Sequence, residues 1–235
     1  SLVPGDYIRA HLKPKRFPVP SIEDWRHRLL IDHEDLLIID KPAGVPSHPT
    51  LDNSVENALS LCQRAFGRPF FITHRLDIPV GGPLILAKSK DAQRTLTDLF
   101  SKRQVHKMYR AIVPRPLPTG FHRHYMNPKS RPPRELDISP RPGWAECDLE
   151  ILSINRLDTT RYELVINLLT GRTHQIRSQL AFMGAPILGD VQYGSRSEDW
   201  RGSGDREQIA LECSRLSFAI GPRTIDVGRL EGANF

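Results

Sequence analysis

The stretch AECDLEIL, residues 145–152, decides what kind of fold this chain adopts. Cys147, Leu149 and Ile151 alternate with Glu146, Asp148 and Glu150. Successive side chains of a strand point to opposite faces, so this alternation predicts a strand with one face buried and one face wet. Half-solvated strands belong to antiparallel sheets, because parallel sheets are covered on both sides. RYELVINLL, 161–169, is expected to be its hairpin neighbour. On the other side of the alternating strand lies KMYRAIV, 107–113, which also reads as a strand. LLIID at 36–40 and LILA at 84–87 are continuous apolar runs of the length expected of fully buried strands.

Helices are expected in three places. Asn53 followed by Glu56 resembles a capping box, and Val55, Leu59, Cys62 and Phe66 recur at helical spacing until Gly67. Ser89 is placed to cap a second helix, with Ala92, Leu96, Leu99 and Phe100 on its buried face and Lys102 and Arg103 at its C-terminal end. The third follows Thr170-Gly171 in LLTGRTHQIRSQLAFMG, 168–184, with Ile176, Leu180 and Met183 inward and Gly184 as its stop. Arg172, His174, Gln175 and Arg177 crowd the first turns of this helix. Cations there oppose the macrodipole, so the cluster calls for an anion opposite it. Strands and helices are thus interspersed along the chain, with antiparallel pairing expected around the alternating strand.

The chain has 235 residues, 39% hydrophobic and 26% charged, which excludes global disorder and suits one large domain. No apolar run approaches the roughly 18 residues needed to span a bilayer, and no secretory layout opens the chain. A soluble, intracellular protein is expected, most simply cytoplasmic. The chain starts at Ser1 rather than a methionine, so an organelle is the alternative if a targeting segment once preceded it. Cys62, Cys147 and Cys213 are odd in number and set in apolar patterns, which favours core packing over a disulfide or zinc site.

Charge is concentrated. Between residues 101 and 142 there are ten Lys or Arg against Glu135 and Asp137, a net +8 that leaves −2 for the rest of a chain whose total is +6. Such a band neutralises phosphates and releases counterions, so nucleic acid is the expected partner, against the alternative of a loop charged only for solubility. His106, His122, His124 and Tyr125 add planar groups suited to looped RNA. Residues 114–142 hold eight of the twenty prolines and are expected to form a long irregular insertion. Arg123, Lys129, Arg131 and Arg134 are its candidate RNA contacts. The expected organisation is a basic N-terminal arm, 1–30, and one main domain, 31–235, that carries this insertion.

The carboxylate of HRLD, 74–77, has two readings. Asp77 either opens a turn before IPVGGP through hydrogen bonds of its own side chain, or it carries chemistry. The surrounding pattern favours chemistry. Five segments in order, IIDKPAG with His48, HRLD to LILAK, KMYRAIV, LLTGRTHQIRSQLA and GAPILGDVQYG, resemble the RluA-type family of RNA pseudouridine synthases across most of residues 36–194.

That resemblance implies an α+β fold built on a mixed, mainly antiparallel central sheet with flanking helices, an active-site cleft along that sheet, no cofactor, no metal, and a monomer acting on a stem-loop of ribosomal or transfer RNA. It implies Asp77 as the catalytic carboxylate, Arg177 as the cation that holds it ionised, and Tyr109 as the ring against the uracil, able to assist proton removal from C5. Arg75 would fill the space left by a flipped uridine, Lys41 would border the cleft in a structural or phosphate-contacting role, and His74, Arg172 and His174 would meet RNA. Two departures stand out. Val80-Gly81-Gly82 replaces the family's usual Thr-Ser-Gly, and Glu212 stands where histidine is common; no role is assigned to Glu212. A catalytically silent RNA-binding homologue is the competing class. A metal-dependent nuclease would need several converging acids, of which HRLD supplies one.

Overall fold

The computed structural model describes residues 13–195 and 208–229. Its elements run α1 (Ile22–His27), β1 (Leu29–Asp32), β2 (Leu36–Lys41), α2 (Ala58–Phe66), β3 (Phe71–Ile72), β4 (Gly82–Ala87), α3 (Lys90–Ser101), β5 (His106–Val113), β6 (Gly120–Met126), β7 (Leu136–Asp137), β8 (Ala145–Arg156), β9 (Tyr162–Leu168), α4 (Gln175–Phe182), β10 (Leu211–Ile220) and β11 (Arg223–Gly228). They form two sheets, ordered β1-β2-β4-β3 and β11-β10-β5-β9-β8-β6-β7. Every strand pair within them is antiparallel.

The expected mainly antiparallel α+β fold is present, its strands divided between two sheets that meet at a seam. Gly81 makes one parallel bridge to Glu212, and the Cys213 amide donates to the Gly81 carbonyl at 2.9 Å. The seam demands the glycine pair's second member. At Gly82 φ is +131°, and a Cβ there would lie 2.2 Å from the Cys213 carbonyl oxygen.

β2 and β4 are buried at every position, which is why their sequences read as unbroken apolar runs. One face of this pair, Leu37, Ile39, Leu84 and Leu86, packs with Trp25, Leu61 and Cys62; the other, Leu36, Ile38 and Ile85, joins Leu96 and the core of the larger sheet. Residues 13–30, read from the sequence as part of a basic arm, dock on the first of these cores. Trp25 is buried in it with Val19 and Ile22 packed alongside, while Phe17 is buried elsewhere and donates its amide to Glu56 at 2.9 Å.

That docking corrects the start of the first expected helix. Asn53 turns the chain by accepting from the amides of Val55 and Glu56, while Glu56 is held by Arg16, Phe17 and Asn53. The helix begins at Ala58, with Asn57 accepting from the Ser60 amide at 3.0 Å. Ser89 caps α3 as expected. A second correction concerns the insertion. It is not irregular throughout: β6 pairs with β8 from Gly120↔Ile151 to Met126↔Ala145. His124 and Met126 form its inward row, and a buried histidine disguised the alternation as polarity.

Candidate active site

Asp77 lies in the extended segment between β3 and β4, and its neighbours are tied down on both sides by the loop that follows β2. Ser47 donates its hydroxyl to the Leu76 carbonyl at 2.8 Å and accepts from the Leu76 amide at 3.0 Å. The Gly44 amide donates to the Ile78 carbonyl at 2.8 Å. The Val80 amide donates to the Asp77 carbonyl at 3.1 Å and closes a turn. The turn after HRLD is thus closed by the backbone carbonyl of Asp77 and not, as the turn reading expected, by its side chain.

That side chain, 15% exposed, faces a cleft of about 490 Å³ that Tyr109, Arg75, Arg103, Lys107 and residues 168–177 also line. The volume is that of a site which encloses one small ligand. Across it, Arg177 on α4 brings Nη1 to 3.6 Å from Asp77 Oδ2. Its tighter partner is Asp190, which accepts from Nε at 2.7 Å and from Nη2 at 2.9 Å; Nη2 also donates to Gln192 at 2.9 Å. The guanidinium lies 5.0 Å from the ring centre of Tyr193. Asp77 and Asp190 are the anions that the crowded helix start called for. Asp190, Gln192 and Tyr193 were not singled out from the sequence, although GAPILGDVQYG contains all three. An acid beside apolar residues and glycines carries no pattern that names its partner.

His174 holds the N-terminal position before α4 in the left-handed region, φ 59°, and its Nδ1 lies 3.1 Å from the Tyr193 hydroxyl. Burial lowers its pKa more than Asp77 raises it. A left-handed histidine lining a cleft is local strain at a candidate site. Tyr109 is buried on β5, and burial, followed by the influence of Cys213 and Asp77, pushes its phenol well above the ordinary value of 10. It presents a protonated hydroxyl. Arg172 is exposed at the rim, its Nε donating to the Glu146 carbonyl at 3.3 Å. Arg75 is also exposed and makes no hydrogen bond or ion pair to another described residue.

Three expected RNA contacts have other partners. Lys41 is fully buried, and its ammonium donates to the carbonyls of Val45 at 2.7 Å, Pro42 at 2.9 Å and Ile78 at 3.4 Å. Burial brings its pKa down to about 7, against the opposing pull of Asp77. His74 accepts the Ile85 amide on Nε2 at 3.0 Å and stacks on Phe100 with ring centres 4.5 Å apart, and burial pushes its pKa down to about 3. Arg123 donates to both oxygens of Asp148, at 2.8 and 3.0 Å, and pairs with Glu146. Lys129 and Arg131 are exposed, and the Arg134 amide donates to the Tyr193 hydroxyl at 3.2 Å. Arg103 and Lys107, counted in the basic band without a role, line the cleft itself.

Comparison with known proteins is consistent with this geometry. Residues 35–182 match the RNA pseudouridylate synthase family model. The chain is 36% identical over 211 residues to RNA pseudouridine synthase 6, chloroplastic, of Arabidopsis thaliana, covering 80% of this chain and 45% of that protein. It is 32% identical over 244 residues to ribosomal large subunit pseudouridine synthase D of Xylella fastidiosa, covering 94% of this chain and 67% of that protein. The chain thus spans less than half the length of the plant relative. Among solved structures, human RNA Pseudouridylate Synthase Domain Containing 4 superposes with a TM-score of 0.69 at 21% identity, covering 89% of this chain and 90% of that chain. The two-sheet fold is shared with that structure, and the matched segment runs from β2 through α4 and so includes Asp77, Tyr109 and Arg177. The chain belongs to the RNA pseudouridylate synthase family.

Proposed function

We propose that the chain isomerises uridine to pseudouridine within structured RNA. One observation carries this reading: the Asp77 carboxylate faces a nucleotide-sized cleft 3.6 Å from a buried guanidinium whose remaining donors are already committed to Asp190 and Gln192. The reaction breaks the bond from N1 to C1′, turns the uracil, joins C5 to C1′, releases the C5 proton and takes up a proton at N1. It needs a carboxylate at the sugar, a charge that keeps it ionised and aimed, and a wall that retains the loose base. Asp77 acts at the sugar, whether on C1′ or on the proton of C2′. Arg177 faces it across 3.6 Å and aims it by charge while leaving its oxygens largely unbonded. Tyr109 retains the base by contact. Its raised pKa disfavours a role as the base that takes the C5 proton.

Arg75, exposed and unpaired among described residues, is placed to enter the RNA as the uridine leaves its stack. The intact turn from Asp77 to Val80 supports an active enzyme over a silent homologue. Relatives named for the ribosomal large subunit and for tRNA support ribosomal or transfer RNA as the substrate class, and the chloroplastic plant relatives support an organelle over the cytoplasm as the compartment. Mapping pseudouridine in ribosomal and transfer RNA from cells with and without the protein tests the reading. A uridine should lose modification in the deletion, regain it with wild type and not with Asp77→Asn. Full restoration by Asp77→Asn would remove Asp77 from the chemistry.

A further inference from the structure

The two places where the chain departs from its family's pattern, Gly81 and Glu212, are bridge partners across the seam between the sheets. Arg229, just past β11, joins them. Its guanidinium donates to Glu212 at 2.6 Å and to Asp40 at 3.0 and 3.4 Å, and Glu212 is also paired with Arg110 at 3.2 Å. Asp40 is fully buried and Glu212 is 3% exposed, so each depends on these cations. The same guanidinium occupies the space beside Gly81: a Cβ on that residue would meet Nη2, Cζ and Nη1 of Arg229 at 3.1, 3.2 and 3.3 Å. A glycine and a distant arginine therefore share one volume directly behind the turn that carries Asp77.

We infer that Arg229 is a positioning residue for Asp77, holding the seam at Gly81 so that the turn from Asp77 to Val80 keeps its carboxylate aimed at the cleft. The path is short. Val80 is buried, lines the cleft beside Asp77 and is followed at once by Gly81, whose carbonyl is held by β10. Asp40, the other end of the guanidinium's reach, directly precedes Lys41, whose ammonium holds the Ile78 carbonyl next to Asp77. Arg229 thus braces both flanks of the reacting residue, one through Gly81 and one through β2. The inference rests on Asp77 as the reacting carboxylate.

The test uses RNA labelled with [5-³H]uridine from cells lacking the protein, mixed with excess enzyme. Tritium released from C5 gives the maximal rate and the half-saturating enzyme concentration, normalised to folded protein. Arg229→Ala should lower the maximal rate by about 10- to 100-fold, the scale of a small misplacement of a reacting group, and leave half-saturation within about twofold. Arg229→Lys, which restores a cation, should recover part of the rate. Gly81→Val removes no charge but displaces the guanidinium; it should lower the rate in the wild-type background and add nothing to Arg229→Ala, because that variant has vacated the space. If Arg229→Ala does not fold, Arg229→Lys and Gly81→Val decide between them. Wild-type maximal rates in these variants, additive losses in the pair, or a rate and an affinity that fall together would overturn the inference. Asp77→Asn is run alongside: inactive Asp77→Asn with fully active Arg229 variants defeats only this inference, whereas active Asp77→Asn defeats the proposed function itself.

Discussion

Arg177 is shared between two carboxylates, and the division is unequal. Asp190 takes two hydrogen bonds at 2.7 and 2.9 Å, while Asp77 stands off at 3.6 Å. A carboxylate that is paired at long range keeps its lone pairs for substrate; one clamped bidentately does not. Asp190→Asn retains the shape and removes the competing charge, so Arg177 should turn toward Asp77. Single-turnover rates at saturating RNA should then fall by about tenfold, one pKa-unit's worth of free energy, with RNA affinity unchanged. An unchanged rate would mean that Asp190 holds Arg177 without setting its distance to Asp77. Lys41 supplies a contrasting residue. With its ammonium enclosed by three carbonyls, Lys41→Met should lower thermal stability, because those acceptors lose their donor, and should leave the salt dependence of RNA binding as it was. A flatter salt dependence would return Lys41 to the phosphate-contacting role that the family resemblance allowed.

At the scale of elements, the strands were legible because burial wrote itself into the periodicity. AECDLEIL alternates since one face of β8 meets the core, and LLIID and LILA do not alternate since β2 and β4 are covered on both faces. The elements that escaped were those whose buried positions are polar. In β6, His124 is satisfied by Gln179, whose Nε2 lies 2.9 Å from its Nδ1, and Glu56 was diverted from its capping position by residues 16 and 17, forty positions back along the chain. Asp77, Tyr109 and Arg177 were likewise legible, but Asp190 was not, since its partner is chosen only when α4 and the loop after it fold together. The half-buried histidine of the β3–β4 connection also makes a pH prediction. His74 sits at about 3 in the fold against an ordinary 6.5, so between those values the unfolded chain binds more protons and stability rises with pH. His124 and His174 are shifted in the same direction, while Glu56, brought down to about 2, adds its own loss only below about 4.5. Urea unfolding at pH 7 and pH 5 should show the wild type losing stability on acidification. His74→Gln, whose amide oxygen still accepts the Ile85 amide, should lose less; an equal loss would place the titration elsewhere.

Across the whole molecule, the basic band divides by what each cation already holds. Arg110 and Arg123 are bound to carboxylates, Arg115 donates to the carbonyls of Met183 and Gly184, and Arg141 pairs with Asp137. A guanidinium already paired gains little from a phosphate, because the new contact must break the old one. Arg103 of the band and Arg75 outside it stand exposed along the cleft, and Arg172, also outside the band, commits only its Nε, to the Glu146 carbonyl. Electrostatic binding of RNA should therefore follow the rim of the cleft and not the count of positive residues. Replacing Arg75, Arg103 and Arg172 together by glutamine should lower the log–log salt slope of RNA binding by about 2 to 3, since each phosphate contact contributes about 0.7 to 0.9. Arg123→Gln should leave the slope unchanged and lower the melting temperature, because it strands the buried Asp148. Filter binding at several salt concentrations separates the cases. A slope that fell equally for Arg123→Gln and for any one rim residue would mean that RNA displaces Asp148, and that the band acts as a diffuse charge, independent of the pairs its members make within the fold.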